Sequence, residues 1–244
     1  MGNFWSRYKR NHAAVFGLFV IVLIIVMAIT ASFLYPEDPF RLVGKPLSKP
    51  LTNGFLLGSD SLGRDVASGI VHGAKTSLLI GFVATLVSVF IGIFFGAFAG
   101  YFGGLIDDIL MRVTEIFQTI PSFIFAILLV AIMKPSISSI VIAIAVVSWP
   151  GVARLVRGEF LAVKNREFVQ ACHTLGMSDL RIMLWEILPN CLSPIIVVGS
   201  LMVATAILIE SGLAFLGLGD PNIMSWGFLI GAGRTMLRSA WWVC

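Results

Sequence analysis

The stretch from Ala13 to Leu34 carries no charged residue. A helix needs about 20 apolar residues to cross the hydrocarbon core, and a bilayer admits only helices and closed barrels because backbone groups must be satisfied internally. Arg7, Lys9 and Arg10 precede the stretch, and Tyr35-Pro36-Glu37-Asp38 ends it without a small-residue cleavage site. This predicts an uncleaved first membrane helix over roughly 14–34 rather than a secretory leader.

The rest of the chain has the same character. Its 244 residues are 58% hydrophobic and 12% charged, with a mean hydropathy of +0.96. Soluble domains are about 45–50% apolar and about 25% charged. The fold class expected is therefore an all-α polytopic membrane protein. Further spans are predicted over roughly 76–101, 111–133 with a break at Pro121, 137–155 and 192–215. Residues 61–75 read as an interfacial helix, because polar residues recur there too often for a bilayer core. Two parts follow: 1–75, holding the first helix and an external loop, and 76–244, the membrane domain proper.

Gly92, Gly96 and Gly100 recur every four residues, which makes one smooth helix face on which another helix backbone can approach closely. Glu210 lies within the last span, where a charge is expensive and by default marks function. It is a candidate for lining a path and meeting a peptide amino group or a cation, the alternative being a carboxylate near the outer interface, paired with an Arg such as Arg234 or bonded to backbone.

The basic flank at Arg7, Lys9 and Arg10 places the N-terminus in the cytoplasm. Counting spans then puts the polar stretch 154–189 there too, in agreement with Arg154, Arg157, Lys164, Arg166 and Arg181. The external loop departs from this rule, since it carries Arg41, Lys45, Lys49, Arg64 and Lys75. The net charge of +4 has no dense cluster or stripe, so it suits loops facing anionic lipid and not nucleic acid.

Several chemistries are excluded by what the chain lacks. It has no phosphate-binding loop, no HExxH and no GxSxG. His12, His72 and His173 are scattered, and Cys172, Cys191 and Cys244 form no CxxC, so no metal site is expected. The chain itself is read as non-catalytic and without a cofactor of its own. Work against a gradient would need energy from outside it.

The polar stretch offers the place for that energy to enter. Phe168, Ala171, Cys172 and Leu175 recur at helical spacing, and Gly176 closes the helix as a left-handed cap. Ser178 is the expected N-cap of a second helix that Pro189 ends. Such a helix could lie on headgroups or fit a groove on a partner.

Gln170-Ala171-Cys172, with Gly176 and Leu188-Pro189, resembles the Glu-Ala-Ala loop of ATP-binding-cassette importer permeases. Gln170, Cys172 and Glu186 replace the usual Glu, Ala and Ile. Longer segments carry the resemblance further: Leu57-Gly58-Ser59-Asp60-Ser61-Leu62-Gly63-Arg64-Asp65, Ala99-Gly100-Tyr101-Phe102-Gly103-Gly104, Ser148-Trp149-Pro150-Gly151, Glu167-Phe168-Val169-Gln170-Ala171, Phe215-Leu216-Gly217-Leu218-Gly219 and Ser225-Trp226-Gly227. In order and spacing these are similar to the second membrane subunit of the dipeptide/oligopeptide/nickel permease family. Phe55-Leu56 stands where that family has a His.

The resemblance implies a type I importer membrane domain in the prokaryotic inner membrane, with five visible spans and a sixth expected beyond Cys244. It implies a second homologous permease, two ATPase subunits that bind ATP and magnesium, and an extracytoplasmic substrate-binding protein. Glu167, Phe168, Gln170, Ala171, Cys172, Leu175, Gly176 and Pro189 would form the ATPase-docking element. The implied cargo is a di- or oligopeptide, with nickel or an oligosaccharide as the alternative on the same scaffold. A stand-alone channel or secondary carrier is the competing class; it would call for charges in several helices and no docking loop.

Overall fold

The computed structural model describes residues 8–243, so Arg7 and Cys244 lie outside the described residues. Helices α1 His12–Leu34, α2 Val66–Phe102, α5 Ile137–Val163 and α7 Asp179–Phe215 are each long and apolar enough to cross a bilayer. Helices α3 Gly104–Thr119 and α4 Ser122–Met133 qualify as a pair, bent by 81° at the break around Pro121. Pro121 cannot donate a backbone hydrogen bond, and Ile120 before it sits in the extended region, as a residue preceding proline prefers. Short helices α6 Glu167–Thr174 and α8 Trp226–Gly233 complete the set used below.

The backbone groups into two compact units, 1–78 with 221–244, and 79–220. Residues 221–244, grouped by sequence with 76–244, thus fall with the first unit. In that unit α1 is capped by Asn11, whose side chain accepts from the Ala14 N–H, and only Ala28 and Ala31 along it are buried. The loop after α1 is an ordered lobe. Ser59 Oγ accepts from the Ser48 N–H, and Asp60 Oδ1 accepts from the N–H groups of Leu62 and Arg64. Arg64 lies over the rings of Phe40 and Phe228 at 4.9 and 5.9 Å. Trp242 Nε1 donates to the Ser59 carbonyl.

The interfacial helix expected at 61–75 is not separate: α2 starts at Val66 and runs unbroken to Phe102. Its polar first turns are satisfied by protein. Ser77 Oγ accepts from the Trp226 N–H, and Trp226 Nε1 donates to the Ile70 carbonyl. Gly73 lets Trp226 come close; a Cβ there would sit 3.0 Å from Ser225 backbone. Asp65 caps this end, accepting from Ala67. Burial pushes its carboxyl up, against hydrogen bonds from Ala67 and Ser68 that pull it down.

In the second unit, α5 runs past the expected end near 155 to Val163, with Pro150 inside it. Two clusters form the interior. One joins Ile80, Ala84, Ala126, Val130, Ile140, Ile144, Ala206 and Leu213. The other joins Ala97, Val152, Val156, Phe160, Val169, Ile182, Met183 and Ile187. The glycine face belongs to the second. A Cβ on Gly92, Gly96 or Gly100 would fall under 3.0 Å from Val152, Val156 or Phe160, so α2 and α5 approach backbone to backbone along this seam.

Candidate functional site

Helix α6 is short, and its placement rests on few residues. Val169 is fully buried and packs into the cluster of Phe160, Val163, Ile182, Met183 and Ile187, with Cys172 and Met177 partly buried against it. The opposite face is open. Phe168 is 36% exposed, Leu175 80%, and Ala171 and Gln170 also face outward. The apolar periodicity expected of Phe168, Ala171, Cys172 and Leu175 is therefore mostly not the core-facing stripe; Val169, one step around the helix, does the anchoring. Gln170 Nε2 donates to the Asn165 carbonyl, which ties it to the turn before the helix.

The helix ends where glycine allows it. Gly176 has φ +72°, its N–H donates to the His173 carbonyl, and the Met177 N–H donates to the Cys172 carbonyl. This pairing satisfies two carbonyls the helix end would leave free, and needs a left-handed residue at Gly176. Ser178 sits at the next N-cap position, in extended conformation, but its side chain makes no capping bond.

Pro189 does not end a helix. From Asp179 the chain stays helical to Phe215, with a π-helical stretch at Ile182–Ile187 just before the proline. The wider turn and the start of regular α-helix at Leu188 put Pro189 in a first turn, where its missing N–H costs little. The second half of the docking loop, from Asp179, is therefore the first part of α7, one of the four long apolar helices. Leu180, Leu184 and Trp185 on this part are exposed too, the last by 74%.

Polar ties bind this end of the unit together. Tyr101, near the end of α2, donates from Oη to Asp179 Oδ1 at 2.6 Å and stacks against His173 with ring centroids 6.3 Å apart. Lys164 Nζ donates to the Tyr101 carbonyl at 3.4 Å. Arg157 on α5 donates to both Asp107 oxygens, at 2.5 and 2.6 Å, so α3 and α5 are clamped by a bidentate pair. Beside this clamp an open cleft of about 880 Å3 is lined by Asp108, Arg112, Glu115, Arg154 and Arg157. None of Tyr101, Asp107 and Asp179 was among the site residues expected from sequence. Their partners are 50 to 78 positions away, a separation that no local spacing reports.

The expected residues fall into three places. Glu167 through Gly176 form one compact helix and its cap. Gly92, Gly96 and Gly100 form the seam. Glu210 lies apart on α7 and is 1% exposed, buried in the protein in this conformation. Among the described residues no three His, Cys, Asp or Glu side chains gather as a metal site.

Long apolar helices, one broken span, a close-packed glycine seam and a short helix with an open face define a polytopic transport permease. The comparisons make this specific. Residues 92–240 match the model of the binding-protein-dependent transport system inner membrane component family, and residues 1–49 match the N-terminal TM domain of oligopeptide transport permease C. The chain belongs to this ABC importer permease family.

Relatives include the di/tripeptide transport system permease protein DppC of Pseudomonas aeruginosa, 38% identical over 98% of this chain and 82% of its own length. The dipeptide permease DppC of Bacillus subtilis is 40% identical, over 98% of this chain and 75% of its own. The oligopeptide permease OppC of Escherichia coli K12 is 40% identical, over 97% and 80%. Among solved structures, a chain of the inward-facing MetNI methionine ABC transporter superposes with a TM-score of 0.60 at 16% identity, covering 71% of this chain and 83% of that one. That likeness concerns the fold, which is that of a type I importer membrane domain.

Proposed function

We propose that this chain forms half of the translocation path of an ATP-driven importer of di- or oligopeptides, and that α6 is where an ATPase subunit docks. The observation that carries the docking reading is the split of α6 into one buried anchor, Val169, and an open face at Phe168, Ala171 and Leu175. A helix held from one side and rigidly capped at Gly176 transmits a push, whereas a loose loop would absorb it. A short turn at Gly176 joins it to α7, which gives the push a route to a bilayer-length helix. Peptide as cargo rests on the relatives, which are named for dipeptide and oligopeptide transport.

In this reading the chain contributes no catalytic group. ATP and magnesium bind the two partner ATPases, a second homologous permease completes the path, and an extracytoplasmic binding protein delivers the peptide. The N-terminus and α6 lie on the cytoplasmic side of the inner membrane, in keeping with the charges around α1 and α6. Glu210 is proposed to line the path, and unchanged uptake in Glu210→Gln would discard that role. The test is uptake of labelled peptide into vesicles carrying the assembled transporter, with ATP supplied on the α6 side. The reading expects ATP-dependent accumulation that Ala171→Trp abolishes while the chain still assembles. Accumulation untouched by Ala171→Trp would overturn the docking assignment. Mass spectrometry of the ligand carried by the co-purified binding protein tests the cargo, with a sugar or nickel ion as the contrary result.

A further inference from the structure

Lys75 is a charge that the transport reading leaves unused. It sits within α2, where a bilayer-length helix should avoid it, and it is exposed. By helical spacing it heads the exposed apolar face continued by Leu79, Phe82, Leu86 and Phe90. Lys75 therefore points outward from this chain, not toward the glycine seam.

The other cations that break the charge rule around the external lobe have plain roles. Arg41 pairs with Glu37 at 2.5 Å, and Arg64 lies between Phe40 and Phe228 beside Asp60. Lys45 and Lys49 are exposed on the lobe itself. Lys75 alone of the five stands on a membrane helix, and among the described residues no carboxylate lies within 4.0 Å of it.

It also stands at the mouth of a groove. Ile25, Ala28 and Ile29 of α1 face Lys75 and Leu78 of α2 across a cavity of about 400 Å3. Ala28 and Ala31 are the buried positions of α1, and Ala28 lines the groove. The larger Ile25 and Ile29 stay exposed at its edge. Depth follows from the neighbouring turn. His72 Nε2 is 2.9 Å from the carbonyl of Tyr35, the residue that ends α1. Lys75 is three residues further into the membrane, about 4.5 Å at the helical rise. A lysine stem of four carbons snorkels back over such a distance, which sets its ammonium at the level of lipid phosphates.

We propose that this groove binds an anionic phospholipid, with an acyl chain along Ile25, Ile29 and Leu78 and the phosphodiester against Lys75. The lining holds one cation and no carboxylate, so it complements a net negative headgroup. It offers nothing to the ammonium of a zwitterionic one. The assignment rests only on the chain's being a multi-pass membrane protein, not on its cargo or its ATPase.

Native mass spectrometry tests it. The full chain, purified in detergent with the subunits that co-purify, is titrated with phosphatidylglycerol and with phosphatidylcholine of the same acyl chains. Lys75→Gln should weaken phosphatidylglycerol binding about fivefold, the worth of one lysine at an anionic surface, and leave phosphatidylcholine unchanged. Lys75→Arg should retain it, and Ile29→Trp, which fills the groove, should weaken both lipids. Inorganic phosphate should not displace the lipid. Unchanged phosphatidylglycerol affinity in both Lys75→Gln and Ile29→Trp would overturn the site. So would displacement by inorganic phosphate, or a Leu78→Cys variant that cross-links to a second polypeptide covering the groove.

Discussion

The glycine seam between α2 and α5 and the open face of α6 both carry small residues, which in the seam let another backbone approach and on α6 are proposed to do so. They differ in where the partner is. Gly92, Gly96 and Gly100 meet Val152, Val156 and Phe160 of their own chain, so closely that no side chain fits between. Ala171 and Gly176 are left uncovered on their outer side: Ala171 is exposed, and a Cβ on Gly176 would find open space. A small-residue face satisfied from within builds the fold. One left open after the fold is complete is the surface proposed above to take another protein.

Substitutions can break that comparison. Gly96→Leu should have the largest effect, because its side chain would collide with Ala153 backbone and with Val156. Overpacking of this kind costs roughly 3 kcal/mol, read as a drop in melting temperature and in membrane abundance. A Gly96→Leu chain of normal stability would contradict the seam. Ala171→Trp should leave melting unchanged within about 0.5 kcal/mol, as exposed substitutions do, yet abolish ATP-driven uptake. The seam and the α6 face would then be separated by two different readouts.

Smaller effects sharpen the same contrast. Tyr101→Phe removes the hydrogen bond to Asp179 that holds the start of α7 to the end of α2. It should cost about 1 kcal/mol and lower coupling, seen as ATP hydrolysed per peptide imported, more than it lowers peptide binding. Gly158→Ala is the control. It lies on α5 with nothing within 4 Å of its missing Cβ. Its melting temperature should equal or slightly exceed that of the parent, since alanine is the better helix former. A large loss there would mean that glycine on α5 matters for reasons other than close approach.

Much of this fold is legible in the sequence because hydropathy and glycine spacing are local. The apolar run of α1, the break at Pro121 and the positive φ at Gly176 each follow from a few adjacent residues. Other features do not, for physical reasons. The polar turns at the start of α2 looked interfacial because their partner, Trp226, lies about 150 positions away. Pro189 looked like a stop because a π-helical stretch, which adjusts the register before it, has no sequence signature. The apolar spacing of α6 pointed to Phe168 and Leu175, yet Val169 is the anchor. Which face is buried depends on where Ile182, Met183 and Ile187 arrive in space. The Arg157–Asp107 clamp escaped for the same reason.

The most direct test of the docking claim uses a thiol that the protein already has on α6. Cys172 is partly exposed beside Ala171, while Cys191 is buried. With Cys191 and Cys244 replaced by alanine, a benzophenone maleimide on Cys172 is irradiated in the assembled transporter. The account predicts an adduct between this chain and an ATPase subunit, absent in Cys172→Ser and changed in yield on adding ATP. Adducts to lipid alone, with no ATPase captured in any nucleotide state, would contradict it.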